Sequence, residues 1–190
     1  MTFPPFRLQR RQCASAGNLP GRSGKETLRF PLPVPARLAI IDAQFHLAAH
    51  MRAFDSLDIH GLVHYAPDAM ALPVDTALSI ADRKLRGLLD LPSLKLAIVV
   101  FSSVDLLGAF ETHHRDLLWK VFGLPVFEQL RGATGEVIAR ECEVHDGLHL
   151  DADMRAGIRD EIVTGQCDCG LETPRLLHRK FGTRTRAAAA

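Results

Sequence analysis

The residues with the most chemistry in them lie between positions 142 and 169. Three of the four cysteines of the chain, Cys142, Cys167 and Cys169, fall there together with His145 and His149. A Cys-x-Cys pair is too cramped for an ordinary disulfide, but two thiolates so placed grip one metal ion. Zinc takes thiolate sulfur and imidazole nitrogen in a closed tetrahedral shell when it serves structure. The expected ligand set is Cys142, His149, Cys167 and Cys169, with His145 competing as the imidazole. Six residues separate Cys142 from His149, a long gap for a zinc knuckle, and Gly147 permits a turn that brings His149 back. Asp146 and Asp168 are candidate acceptors for ligand N–H groups. Four protein ligands leave no position for water, so such a zinc is structural. The competing reading is three buried thiols and two surface histidines without metal, because free cysteine is often buried.

Other constellations carry less. His46 and His50 have the i, i+4 spacing of zinc metalloproteases, but Leu47, Ala48 and Ala49 supply no glutamate base between them. Ordinary helix-face histidines are expected there. His60 and His64 share a face with Asp58 if their segment is a strand, and a second metal cluster with His46 is the sharper alternative to a solvated surface. His113, His114, Arg115 and Asp116 are read as solvated helix surface, since neighbours on a helix diverge by about 100°. Ser102 and Ser103 close the most hydrophobic strand at its carboxyl end, where open α/β sheets bind ligands. They are candidates for lining a substrate pocket, and no nucleophile elbow surrounds them.

These residues need a scaffold. The chain has 190 residues and is 47% hydrophobic, enough for one real core. A net charge of +1 predicts no affinity for nucleic acid. No apolar run approaches the roughly 20 residues of a membrane-spanning helix. Four cysteines make no disulfide framework, and without a secretory h-region a reducing cytoplasm is expected. Residues 1–36 are rich in proline and glycine, and six basic residues face Glu26 alone. They are expected to be a poorly ordered arm holding an unligated Cys13, with a transit peptide or a polyanion-binding arm as alternatives. Residues 37–130 read as an α/β core. Strands are predicted over 38–41, 59–65, 94–101 and 124–127, and helices over 43–54, 75–89 and 106–122. The run at 94–101 suits a central strand covered on both faces, and the helix between it and 124–127 implies a parallel crossover. Periodicity of 3.6 stops after Gly135. Residues 131–176 then read as a small β-rich zinc-binding subdomain with strands at 136–142, 148–150 and 161–164, followed by a fraying basic and alanine tail over 177–190. The fold class is α/β, a mostly parallel sheet with flanking helices.

In this setting several segments resemble the late core of adenylate-forming enzymes. Residues 96–103, the following helix, and 122–128 (Phe-Gly-Leu-Pro-Val-Phe-Glu) match a strand ending in small residues, a helix, and a Gly-x-Pro-Val strand. Residues 138–143, 146–149, 167–170 (Cys-Asp-Cys-Gly) and 173–176 (Thr-Pro-Arg-Leu) are similar to the phenylacetate–coenzyme A ligase branch, some members of which carry a Cys/His zinc site. The resemblance covers about residues 73–176. It implies ATP or AMP and magnesium as cofactors, held by a Tyr-Gly-x-Thr-Glu segment. Gly132 and Thr134 match that segment and are the implied nucleotide-binding positions. Arg131 replaces the aromatic residue and Gly135 the acid. A glycine side chain cannot ligate magnesium, and Glu136 stands in only if the loop shifts. Neither the family's phosphate loop nor its late lysine domain has a counterpart in the sequence.

Two functions follow as expectations. The first is a truncated, non-catalytic relative of the ligases, stabilised by zinc, that binds a protein partner or a small acyl or nucleotide ligand. The second is one subunit of a split acyl–coenzyme A ligase, completing the acyl pocket in a complex.

Overall fold

The computed structural model describes residues 36–43, 49–103, 110–132, 135–151 and 162–177. In chain order the elements are β1 (Leu38–Ile41), β2 (Met51–Phe54), α1 (Ile59–Tyr65), β3 (Ala69–Pro73), α2 (Val74–Leu85), β4 (Ala97–Ser103), α3 (Thr112–Phe122) and β5 (Val126–Arg131). Four short strands follow: β6 (Val137–Glu141), β7 (Leu148–Leu150), β8 (Ile162–Val163) and β9 (Arg175–Leu176). All nine strands form one sheet in the order β2-β1-β3-β4-β5-β6-β7-β9-β8. The pairings from β2 to β5 are parallel, and those from β5 to β8 are antiparallel. The fold class is therefore α/β, as expected, with the antiparallel strands bonded directly onto the parallel edge.

The reason for this order lies in β4. Every residue from Ala97 to Ser102 is buried, as a strand covered on both faces must be. On one face Met70, Leu72, Ile98 and Val100 pack with Ala77, Ile80 and Ala81 of α2 and Leu118 of α3. On the other, Ile40, Ala71, Val99 and Phe127 form a second cluster. Among the described residues the antiparallel end has a small cluster of its own, Ile138, Ala139, Leu148, Leu150 and Leu176, and little other apolar surface to hold it.

Several expectations need correction. The predicted helix over 43–54 is overturned at its end, where Met51–Phe54 is the edge strand β2; residues 44–48, including His46, lie outside the described residues. Met51 and Phe54 are three apart, which fits a helical stripe, but β2 has one outer edge and leaves Arg52 and Ala53 exposed. The predicted strand over 59–65 is helix α1. Its signal was Asp58, an N-cap whose carboxylate accepts from the Gly61 N–H at 2.9 Å, while Ala66 ends the helix in the left-handed region. His60 and His64 are thus exposed on a helix rather than sharing a strand face. Strand β3 has no counterpart among the predicted elements: its five residues are short of a clear periodic signal, and alanine fills two of them, Ala69 and Ala71, both fully buried between β1 and β4. Helix α2 buries Val74, Ala77, Ile80 and Ala81. Of the stripe its periodicity predicts, Leu78, Ala81, Leu85 and Leu88 or Leu89, Ala81 and Leu89 are buried and Leu78 packs on the core, whereas Leu85 and Leu88 are exposed.

Helix α3 ends at Gly123 as expected. At its start the Glu111 backbone N–H donates to His114 Nδ1 at 3.2 Å, so the bond needs a neutral imidazole. Burial, then the nearby His113, holds the His114 pKa below its ordinary 6.5. The folded chain then binds fewer protons than the unfolded chain between those two values, and stability falls with acidification across that window. This contribution is complete above about pH 6.5 and is lost as pH drops through 6.5 toward the folded value. His114→Ala is expected to cost about 0.5–1 kcal/mol at pH 8, typical of a lost cap, and less at pH 5. Urea melts of both proteins at the two pH values check this; a gap that does not narrow contradicts it.

Candidate metal centre

Cys142 directly follows β6, His149 is the central residue of β7, and Cys167 and Cys169 lie in the turn before β9. Antiparallel pairing of β6 with β7 sets His149 opposite Arg140, next to the strand end that carries Cys142. The connecting turn needs Gly147. Its φ is +81°, and a Cβ there would stand 2.6 Å from the Leu176 carbonyl oxygen. The second turn folds back on itself through Cys167 N–H to the Leu171 carbonyl at 2.9 Å and Gly170 N–H to the Cys167 carbonyl at 2.8 Å. Register between β7 and β9, with His149 opposite Arg175, brings the two turns together.

The four donor atoms of Cys142, His149, Cys167 and Cys169 all lie within 4.8 Å of one another. The Cys142 and Cys167 sulfurs are 3.8 Å apart, and Cys169 Sγ is 3.4 Å from His149 Nε2. A tetrahedral centre with metal–sulfur bonds of about 2.3 Å and metal–nitrogen bonds of about 2.0–2.1 Å has sulfur–sulfur edges of about 3.8 Å and sulfur–nitrogen edges of about 3.6 Å. The donor set therefore fits one ion. Cys142, Cys167 and His149 are buried, and Cys169 is partly exposed.

Burial, with the neighbouring Cys169 adding to it, pushes the Cys142 thiol up to about 12. Burial also raises Cys169, and the adjacent Cys167 sulfur adds to the rise. Cys167 is also raised by burial, but hydrogen bonds from the Cys169 backbone and from both other thiols outweigh this and leave it lowered. Without a cation Cys142 and Cys169 are thus held as thiols, and an ion bound there would have to displace their protons. His149 is kept neutral by burial and by Arg175 and Arg140, which leaves a lone pair free for coordination. Its Nδ1 is 2.8 Å from Thr173 Oγ1, a contact that holds the ring with Nε2 3.4 Å from the Cys169 sulfur. Thr173→Val is expected to weaken metal affinity about tenfold, the low end for loss of a partner behind a ligand. Competition with a chromophoric chelator measures this, and an unchanged affinity would refute the orienting role.

The other imidazole is used differently. His145 stacks on Phe127 with ring centroids 5.1 Å apart, and its Nδ1 is 2.9 Å from Glu141 Oε1 and 3.2 Å from Arg115 Nη1. Arg115 also donates to Glu141 Oε2 at 2.9 Å and to the Val126 carbonyl. The reading of Arg115 as solvated surface is therefore wrong: it crosses from α3 to β5 and β6. Glu141, with its side chain 1% exposed, further accepts the Glu128 backbone N–H at 2.9 Å. Two lone acids inside apolar strands, Glu128 and Glu141, were the sequence signal for this cluster. Arg175 is also buried, and it bonds the Asp146 carbonyl at 3.1 Å and the Asp146 carboxylate. Asp146 thus braces the β7–β9 register.

The remaining candidates do not meet at this centre. Ser102 is buried and donates to Glu128, whereas Ser103 is half-buried at the end of β4. Gly132 closes a tight turn, accepting from the Gly135 N–H at 3.0 Å and donating to the Glu136 carbonyl at 2.9 Å. The Glu136 carboxylate occupies the space a Gly132 side chain would need. Thr134 lies outside the described residues, as does Cys13.

No family model matches the chain, and no curated protein does. Among solved structures the chain is similar to an open conformation of 2-hydroxyisobutyryl-CoA ligase in complex with 2-HIB-AMP and CoA. The TM-score is 0.54 at 14% identity, over 75% of this chain and 44% of that one. The chain thus spans less than half the length of this ligase and shares its fold over that part. Among the described residues no helix is long and apolar enough to cross a membrane.

Proposed function

We propose that this chain is a zinc-clasped, non-catalytic module on an adenylate-forming fold, of the phenylacetate–coenzyme A ligase branch, which binds a protein partner or a small acyl or nucleotide ligand. The observation that carries the reading is the four-donor tetrahedron set on the antiparallel edge of a ligase-like sheet. Three thiolates and an imidazole favour zinc over harder cations, and a full set of protein ligands favours a structural role. A reducing, cytoplasmic compartment suits thiols held in this way. Residues 131–176 form the zinc-carrying unit and 37–130 the α/β core.

Two residues speak against catalysis. Gly135 stands where the ligases place an acid, and a hydrogen atom offers magnesium no ligand. Ser102 is buried against Glu128 rather than open to substrate. Nucleotide contact would fall to Gly132 and Thr134, and acyl contact to Ser103. In a second reading, another chain supplies the magnesium-ligating acid that Gly135 lacks, and the two together form a split enzyme. The expected result with ATP, aryl acids and coenzyme A is no pyrophosphate release from this chain alone; release by the purified chain overturns the non-catalytic reading. Release only on mixing with a second protein selects the split enzyme.

A further inference from the structure

Cys142 and Cys167 have their sulfurs 3.8 Å apart, are 6% and 3% exposed, and come from turns 25 positions apart in sequence. A disulfide needs the sulfurs at about 2.05 Å, so a closing movement of under about 2 Å would join them. The bond would tie the turn carrying Cys167 to the end of β6, which is the same mechanical task as the metal. Cys169 differs from the other two: it is partly exposed, and its sulfur lies within 4.8 Å of both. Buried thiols react poorly with oxidants, whereas an accessible thiol beside two others is placed to pass a bond inward.

We propose that the clasp has two interchangeable closures, a metal ion held by four donors and a Cys142–Cys167 disulfide formed when the metal is absent, with Cys169 as the thiol at which the oxidant enters. The oxidant is a low-molecular-weight disulfide. The Cys169 thiolate attacks one of its sulfurs; that S–S bond breaks and the first small thiol leaves, taking the proton Cys169 gave up. Cys142 then attacks the Cys169 sulfur and expels the second small thiol. Finally Cys167 attacks the Cys142 sulfur and returns Cys169 to the thiol. Two protein thiols have lost two electrons and two protons, and one small disulfide has gained them. With two donors left, His149 and Cys169, the oxidised site no longer holds zinc. The switching half of this inference rests on the metal reading, whereas the pairing half does not.

The test uses the full chain carrying Cys13→Ser, stripped with a chelator and exposed to oxidised glutathione. Peptide mapping is expected to find one internal bond from Cys142 to Cys167, zinc uptake is expected to fall at least tenfold, and dithiothreitol is expected to restore it. Adding Cys169→Ser should slow formation of the same bond about tenfold while leaving it as the product. Thiols that stay free, a glutathione adduct without an internal bond, or a Cys167–Cys169 bond each overturn the pairing. An unchanged rate in the Cys169→Ser protein overturns the entry role. A disulfide in a chain that takes up no zinc in either redox state upholds the pairing and overturns the metal reading.

Discussion

Removal of the metal is expected to lower the melting temperature by about 5–10 °C and to loosen one end of the sheet first. The size follows from linkage: a ligand at 100 times its dissociation constant contributes about 2.7 kcal/mol, and in a chain of this length each kcal/mol moves the midpoint by about 2–4 °C. The location follows from packing. Only two residue pairs join β7 to β9 and two join β9 to β8, and the apolar cluster beneath them is small. The four donors come from both sides of that weak junction. Hydrogen exchange after chelation should therefore rise over residues 142–150 and 167–176 while β3 and β4 keep their protection. A verified metal-free protein with an unchanged midpoint, or with protection lost uniformly, would sink this.

Arg115→Met should cost about 3 kcal/mol, on the scale of a large-to-small substitution in the core. Breaking a buried ion pair by removing one partner typically costs roughly 3–5 kcal/mol, because the surviving charge stays buried. The low end applies because the Glu128 N–H and His145 still contact Glu141. Arg115 also holds the Val126 carbonyl, so the substitution unfastens α3 from both β5 and β6. Removing the charge as well, in Arg115→Met/Glu141→Gln, should recover more than half the loss. Denaturant melts of the two proteins decide it. Equal stability of the single and double variants would show that the burden was packing rather than charge. His145 links this cluster to the turn that begins at Cys142, since its N–H donates to the Cys142 carbonyl at 3.1 Å. The metal turn and the parallel core are thus fastened to one another at Glu141.

The strongest parts of the fold were legible because they rest on local signals. The run through β4 is apolar on both faces, α3 stops at a glycine, and β6 and β7 are bounded by polar turns. Cys142, Cys167 and Cys169 were legible because soft ligands at short spacing have few other uses. His149 and His145 are hard to tell apart in the sequence; in the structure His149 Nε2 lies by the Cys169 sulfur, while the His145 ring stacks on Phe127. What the sequence concealed depends on tertiary context. Met51–Phe54 carries helical spacing but is completed as a strand by β1, and Ile59–Tyr65 has apolar residues a strand would also use. Strand β3 is a short run that alternates small Ala69 and Ala71 with large Met70 and Leu72, and its place between β1 and β4 is set by those neighbours. Arg115 looked like surface because it sits among polar residues, and its partner Glu141 is 26 positions away.

X-ray absorption at the zinc edge, on protein purified without a histidine tag, bears most directly on the clasp. The prediction is one zinc per chain with three sulfur neighbours at about 2.3 Å and one nitrogen at about 2.0 Å. A metal-free chain, or a shell of oxygen and nitrogen without sulfur, would contradict it.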